Sequence, residues 1–149
     1  MSVSYDLFTE TFLSKITEYD FINLPDEDRT EIVDGYMKRA VSEFNRICKY
    51  DLSSTADDTS RQFNTDIPEN EIDEIVDIIS EAMIIQWLKP YLYKQELLEN
   101  ALNTRDFSTF SPEALLNRVK DLYKETCKKV KQDMREYSYN YGKLDELHL

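Results

Sequence analysis

Few residues in this chain are equipped for chemistry. The only histidine is His148, one residue from the end, where a catalytic imidazole is not expected because chain ends usually fray. With no second histidine, the Glu-x-x-His pairs of a carboxylate-bridged di-iron bundle cannot be assembled, and a zinc site loses its usual nitrogen ligands. Asp73 with Asp77, or Asp26 with Glu27, could hold a divalent cation. A solvated helix face accounts for the same spacing more readily. Two glycines in the whole chain leave no phosphate-cradling loop and no nucleophile elbow. Cys48 and Cys127 have no Cys or His at ligand spacing and read as small buried thiols, which suits a reducing compartment. The expectation is therefore a protein that is not an enzyme and needs no cofactor or metal.

What remains is charge. Lys120, Lys124, Lys128, Lys131 and Arg135 recur at spacings of 4, 4, 3 and 4, which places five cations in one row on a helix. Such a row fits a plain solvated face with Asp121 and Glu125 beside it, a contact for an acidic protein surface, or a phosphate-contacting strip. The last is the weakest, since the interleaved aromatics of a single-strand platform are missing. The chain as a whole is acidic, at −12, and unevenly so. Through Glu81 there are 20 acids against 7 bases; from Ala82 onward there are 10 against 11. An acidic first half of one copy could thus meet the basic row of the next, a head-to-tail contact that closes into a ring where the rotation allows. The net charge disfavours nonspecific attraction to DNA or to an anionic membrane.

The elements that must position this row are helical. With 149 residues, 4 prolines and 32% charged residues, the composition favours helices over a strand-and-turn sandwich. The centre is Glu71 to Leu102, where Ile72, Ile75, Val76, Ile79, Ala82 and Met83 follow a single stripe. Ile84, Ile85, Trp87 and Leu88 then widen it until the segment is apolar on almost every side. A segment of that kind must be enclosed by other helices. Pro90 should kink or break it near Lys89 before the pattern resumes.

Ser4 is placed to cap a first helix reaching about Tyr19, with Leu7, Phe8, Phe12, Leu13 and Ile16 on its apolar side. A second helix should follow Pro25 and run to about Lys49 on Ile32, Val33, Tyr36, Met37, Ala40, Val41, Phe44, Ile47 and Cys48. Gly35 inside it hints at a close helix approach. From Tyr50 the pattern dissolves into a long loop, residues 50–69, which reads as a mobile connector or an interaction loop. Within it RQFNTDI, residues 61–67, alternates weakly enough to form a short strand, by pairing with another chain.

A shorter loop at Asn103 to Ser111 should fold Phe107 and Phe110 onto the core. Ser111 and Pro112 then open a long last helix whose buried side runs from Leu115 and Leu116 through Val119, Leu122, Tyr123, Thr126, Cys127, Val130 and Met134 to Tyr137. The alternating Tyr137, Tyr139 and Tyr141 before Gly142 suggest an extended tail over residues 137–149. No run is long and apolar enough for a membrane span, and the N-terminus does not read as a secretion signal. The fold class is all-α, a bundle of about four main helices forming one domain over residues 1–136, with a long irregular loop and an extended C-terminal tail.

Residues 74–119, EIVDIISEAMIIQWLKPYLYKQELLENALNTRDFSTFSPEALLNRV, together with MREYSYNYG, SYDLFTETFLSKITEYD and EIVDGYMKRA, resemble the head-tail connector, or adaptor, proteins of tailed bacteriophages and prophages of Gram-positive bacteria. The resemblance extends over most of the chain and is one of general texture, without a catalytic motif. It implies a small helical bundle assembling as a homo-oligomeric ring, commonly of twelve copies, beneath the portal protein. The ring would extend the DNA channel and present a surface to the stopper or tail, placing the protein in the virion neck after synthesis in the host cytoplasm. Packaged DNA would pass without specific binding. The resemblance further implies a portal contact through the C-terminal segment, with Tyr137, Tyr139, Tyr141, Leu144 and Leu147 as candidates. Arg61 and Phe63 become candidates for contacts with a neighbour or the next ring. The alternative reading is a free-standing acidic helical binding protein, a DNA mimic or inhibitor of a mobile element.

Overall fold

The computed structural model describes residues 2–16, 29–48, 50–93 and 112–141. Four helices carry the described chain: α1 (Tyr5–Ile16), α2 (Arg29–Phe44), α3 (Glu69–Tyr93) and α4 (Pro112–Tyr141). The chain is mostly helical, as its composition and periodicity predict. A small sheet of three two-residue strands supplements the bundle, made of β1 (Val3–Ser4), β2 (Ala56–Asp57) and β3 (Gln62–Phe63).

Helix α3 is the shared packing partner. It lies against α1, α2 and α4, and α1 also touches α2. Ile75, Ile78, Ile79, Ala82, Met83, Ile84, Trp87 and Leu88 are all essentially buried, so the all-round apolar segment is enclosed on every side. Phe12 of α1 meets the Trp87 ring edge-to-face at 6.2 Å, and Phe44 of α2 meets Tyr137 of α4 at 5.0 Å. Aromatic pairs of this kind contribute about 0.5–1.5 kcal/mol beyond burial.

Several expectations are corrected. The helix does not break at Lys89: α3 continues through Pro90 to Tyr93. Proline removes one N–H and crowds the carbonyl four residues earlier, but the enclosing helices hold this segment in place. The resumption beyond Tyr93 lies outside the described residues. Helix α2 ends at Phe44, with turn residues following, short of Lys49. Gly35 makes no close approach, since a Cβ there would meet nothing within 4 Å. Cys48 is buried as expected, whereas Cys127 is only half-buried.

The region between α2 and α3 is built rather than irregular. Asn45 Oδ1 accepts from the Leu52 N–H at 2.8 Å, and Asp51 Oδ1 accepts from the Ser54 N–H at 3.1 Å. Asp57 Oδ1 accepts from the Thr59 N–H at 3.0 Å and starts the turn of the β2–β3 hairpin. The side chains that deny this region a helical face thus supply its own turns. Strand β3 pairs with β2, Phe63 opposite Ala56, and on its other edge with β1, Phe63 opposite Val3. The strand expected to pair with another chain therefore pairs within its own.

At the N-terminus Ser4 Oγ accepts from the Asp6 N–H at 3.2 Å, the expected cap. At the other end α4 runs unbroken through Tyr141. Tyr137 is fully buried and Ser138 is 2% exposed, so no extended tail begins at Tyr137. Tyr137 continues the buried helical stripe, because Val130, Met134 and Tyr137 keep the i, i+4, i+7 spacing, whereas Tyr139 falls on the exposed side. Phe107, Phe110, Ser111, Gly142, Leu144, Leu147 and His148 lie outside the described residues, as do Asp26 and Glu27.

Candidate functional site

Helix α4 has 30 residues and spans about 45 Å. Val119, Thr126, Val130, Tyr137 and Ser138 are buried against the bundle, and this fixes which side looks outward. Lys120, Lys124, Lys128, Lys131 and Arg135 are all exposed. Among the described residues none of the five forms an ion pair, although Asp121 and Glu125 are on the same helix. The row covers about 22 Å along the axis. Tyr139, four residues beyond Arg135, is 71% exposed and extends it with an aromatic ring.

A second charged face, which the periodicity of apolar residues concealed, lies where α3 packs on α4. Glu69, Asp73, Asp77 and Glu81 recur every four residues along α3. One end of this line is neutralised. The Lys15 ammonium donates to Asp77 Oδ1 at 2.7 Å and to Glu81 Oε2 at 2.8 Å, and Lys129 Nζ lies 3.4 Å from the same Glu81 oxygen. Burial works to lower the Lys15 pKa, but the bonds to Asp77 and Glu81 outweigh it and raise the group.

Among the described residues the other end carries no such cation. Glu69 and Asp73 are exposed and form no ion pair among the described residues. Glu74 beside them is pushed above the ordinary carboxyl range by burial, then by the negative charges of Glu136, Asp133, Glu71 and Asp77. Asp133 on α4 is raised in the same way, by burial and then by Asp77, Glu136 and Glu81, with Lys129 opposing. Like charges are thus gathered at the start of α3 and the end of α4 at an electrostatic cost. The signal was legible as a period of four acids, but the stronger apolar stripe on the same helix hides it.

The loop candidates are engaged inside the chain. Phe63 is 1% exposed and packs its ring against Tyr5 at 4.8 Å and Phe8 at 5.5 Å. Arg61 donates from Nε and Nη2 to both Asp34 oxygens and from Nη1 to Asp6 at 2.8 Å. Tyr5 completes the arrangement, its hydroxyl donating to Asp58 at 2.8 Å while Lys38 reaches the other Asp58 oxygen at 2.9 Å. Arg61 and Phe63 therefore fasten the hairpin to α1 and α2; Phe63 is buried, while the Arg61 side chain stays 32% exposed.

Tyr137 is likewise a core residue, with its hydroxyl 3.6 Å from Cys48 Sγ. Burial, and then this contact, push its pKa well above that of an ordinary phenol. Tyr139 is the tail candidate that the described structure leaves on the surface. Among the described residues no group of His, Cys, Asp or Glu is arranged to hold a metal ion, and no helix is long and apolar enough to cross a membrane. Asp77, one half of the acid pair weighed for a cation, is held by Lys15.

Comparison of the chain with protein-family models, with curated proteins and with solved structures returns no match.

Proposed function

We propose that this chain is a structural head-tail connector of a tailed phage, a non-enzymatic adaptor that assembles as a ring below the portal protein. The reading rests on the resemblance of most of the chain to that group. The observation that carries it is the row of five exposed cations, without ion pairs among the described residues, on a chain whose net charge is −12. A charged strip of this length on the longest helix is suited to fixing register and partner choice, while contributing little to folding. The bundle supplies a rigid body through α3, and the hairpin is fastened to that body by Arg61.

In this role the ring binds the portal on one side and the stopper or tail on the other, within the virion neck. Acidic surfaces toward the lumen let packaged DNA pass without being held. The acidic face at the start of α3 also favours a second reading, a free-standing acidic inhibitor acting on a cationic protein. Co-expression with the portal protein of the same phage separates the two. The connector co-purifies as a portal complex of fixed stoichiometry, whereas an inhibitor leaves the portal bare.

A further inference from the structure

The two charged faces are complementary in sign. Lys124 to Lys128 covers about 6 Å of α4, within the longer basic row, and Glu69 to Asp73, the end of the acidic line that Lys15 does not reach, covers about 6 Å of α3. Both faces are exposed, and neither Lys124 and Lys128 nor Glu69 and Asp73 have an ion-pair partner among the described residues. The acidic face is moreover in a state that a cation would relieve, since Glu74 and Asp133 are raised by burial and by one another's neighbours.

From this we infer that the occupant of the basic row is a second copy of this chain, docked through the face made by Glu69, Asp73, Glu74 and Glu136. The inference rests on the proposed assembly into a ring and names the contact that builds it. Successive residues on an α-helix turn by about 100°, which puts Asp133 and Glu136 on a different side of α4 from Lys124 and Lys128. Donor and acceptor faces of one copy are therefore distinct surfaces. A contact between distinct surfaces is head-to-tail: it leaves a free face at each end and propagates until the rotation closes it. A lysine brought beside Glu74 and Asp133 opposes the like-charge repulsion that raises both groups, so assembly offsets part of that electrostatic cost. Exposed pairs of this kind weaken with salt, so the contact is strongest at low ionic strength.

The test is zero-length carbodiimide cross-linking of the full chain, using an equimolar mixture of isotopically heavy and light protein. Mixed heavy–light peptides joining Lys124 or Lys128 to Glu69, Asp73 or Glu136 are expected. In the double variant Lys124→Glu, Lys128→Glu, the mixed heavy–light peptides joining the remaining Lys120 or Lys131 to Glu69, Asp73 or Glu136 fall at least tenfold relative to the unaltered chain, while the melting temperature is kept. Mixing that variant with Glu69→Lys, Asp73→Lys restores intermolecular cross-links, because each supplies the face that the other lacks. Absence of intermolecular cross-links, cross-links on other surfaces, an unaltered yield in the reversal variant, or failure of the mixture to restore it overturns the contact. Binding of duplex DNA to the row at ordinary salt also overturns it. If portal complexes form equally well with the reversal variants, the connector reading stands and the contact alone falls. If the contact is found but no portal complex forms, it is the connector reading that falls.

Discussion

Arg61 grips Asp34 with two parallel hydrogen bonds, from Nε at 2.9 Å and from Nη2 at 2.8 Å, while its own backbone occupies the left-handed region at φ 52°. A side chain that holds three elements together thus sits on a backbone conformation that disfavours any side chain except glycine's none. The hairpin turn needs the conformation, and the two helices need the guanidinium.

The opposing terms can be separated. Arg61→Ala removes the clamp and leaves Asp34, 15% exposed, without its cation, and should destabilise the fold by about 1–3 kcal/mol. Arg61→Gly also loses the clamp but relaxes the backbone, and should recover about 1 kcal/mol of that loss. Urea unfolding of the two variants measures the difference. A glycine variant no more stable than the alanine one would place no strain at this turn.

Tyr137 fixes where the chain can be shortened. Removal of residues 142–149 leaves Tyr137 and the described end of α4 in place and serves as the reference. A truncation that also removes residues 137–141 takes away a fully buried ring, and the loss should resemble Tyr137→Ala, about 3–5 kcal/mol. Thermal melts of the two truncations are the measurement. Equal stability would contradict the placement of Tyr137 in the core.

Gly35 offers a gain. It is inside α2 at an ordinary helical backbone, with open space where a Cβ would stand. Gly35→Ala should stabilise by about 0.5–1 kcal/mol, read as a rise in the urea midpoint at unchanged slope. A loss of stability would mean that the side facing Gly35 is occupied.

The acidic face predicts a pH dependence. Glu74 and Asp133 titrate higher in the folded chain than in the unfolded one, so the folded state holds more protons between the two values. Stability contributed by these groups therefore rises as pH falls from neutral toward the ordinary carboxyl range, and is lost again as pH climbs through their raised values. Asp57 and Asp58 act oppositely. Asp57 is lowered by its bonds to Ser60 and Thr59, and Asp58 by those to Lys38 and Tyr5, so their contribution disappears only at more acidic pH. Denaturation as pH falls from neutral toward the ordinary carboxyl range should show a stability gain that Glu74→Gln with Asp133→Asn flattens. An unchanged slope in that double variant would assign the gain elsewhere.

Long, strongly periodic segments were legible because their stripes are local: the spacing from Ile72 to Met83 specifies the buried side of α3 whatever packs on it. The cap at Ser4 was legible for the same reason. The sheet was not, since two-residue strands acquire meaning only when Val3 meets Phe63 across 60 positions of sequence. Tyr137 was legible as the end of the last helix's buried side through its spacing from Val130 and Met134, whereas its alternation with Tyr139 and Tyr141 imitates an extended tail that the helix to Tyr141 replaces. At Pro90 local chemistry allows a kink or a break, and of the two the continuous α3 excludes the break. On the surface, the basic row was legible as spacing, whereas its counterpart on α3 emerged only once the fold placed Asp133 and Glu136 beside Glu74.

The most direct measurement of the connector reading is mass photometry of portal rings before and after addition of the purified chain. The account predicts an added mass of a full ring, twelve copies of 17.7 kDa, with no stable partial series at saturation. Portal rings that keep their original mass at every concentration of a well-folded chain would contradict it.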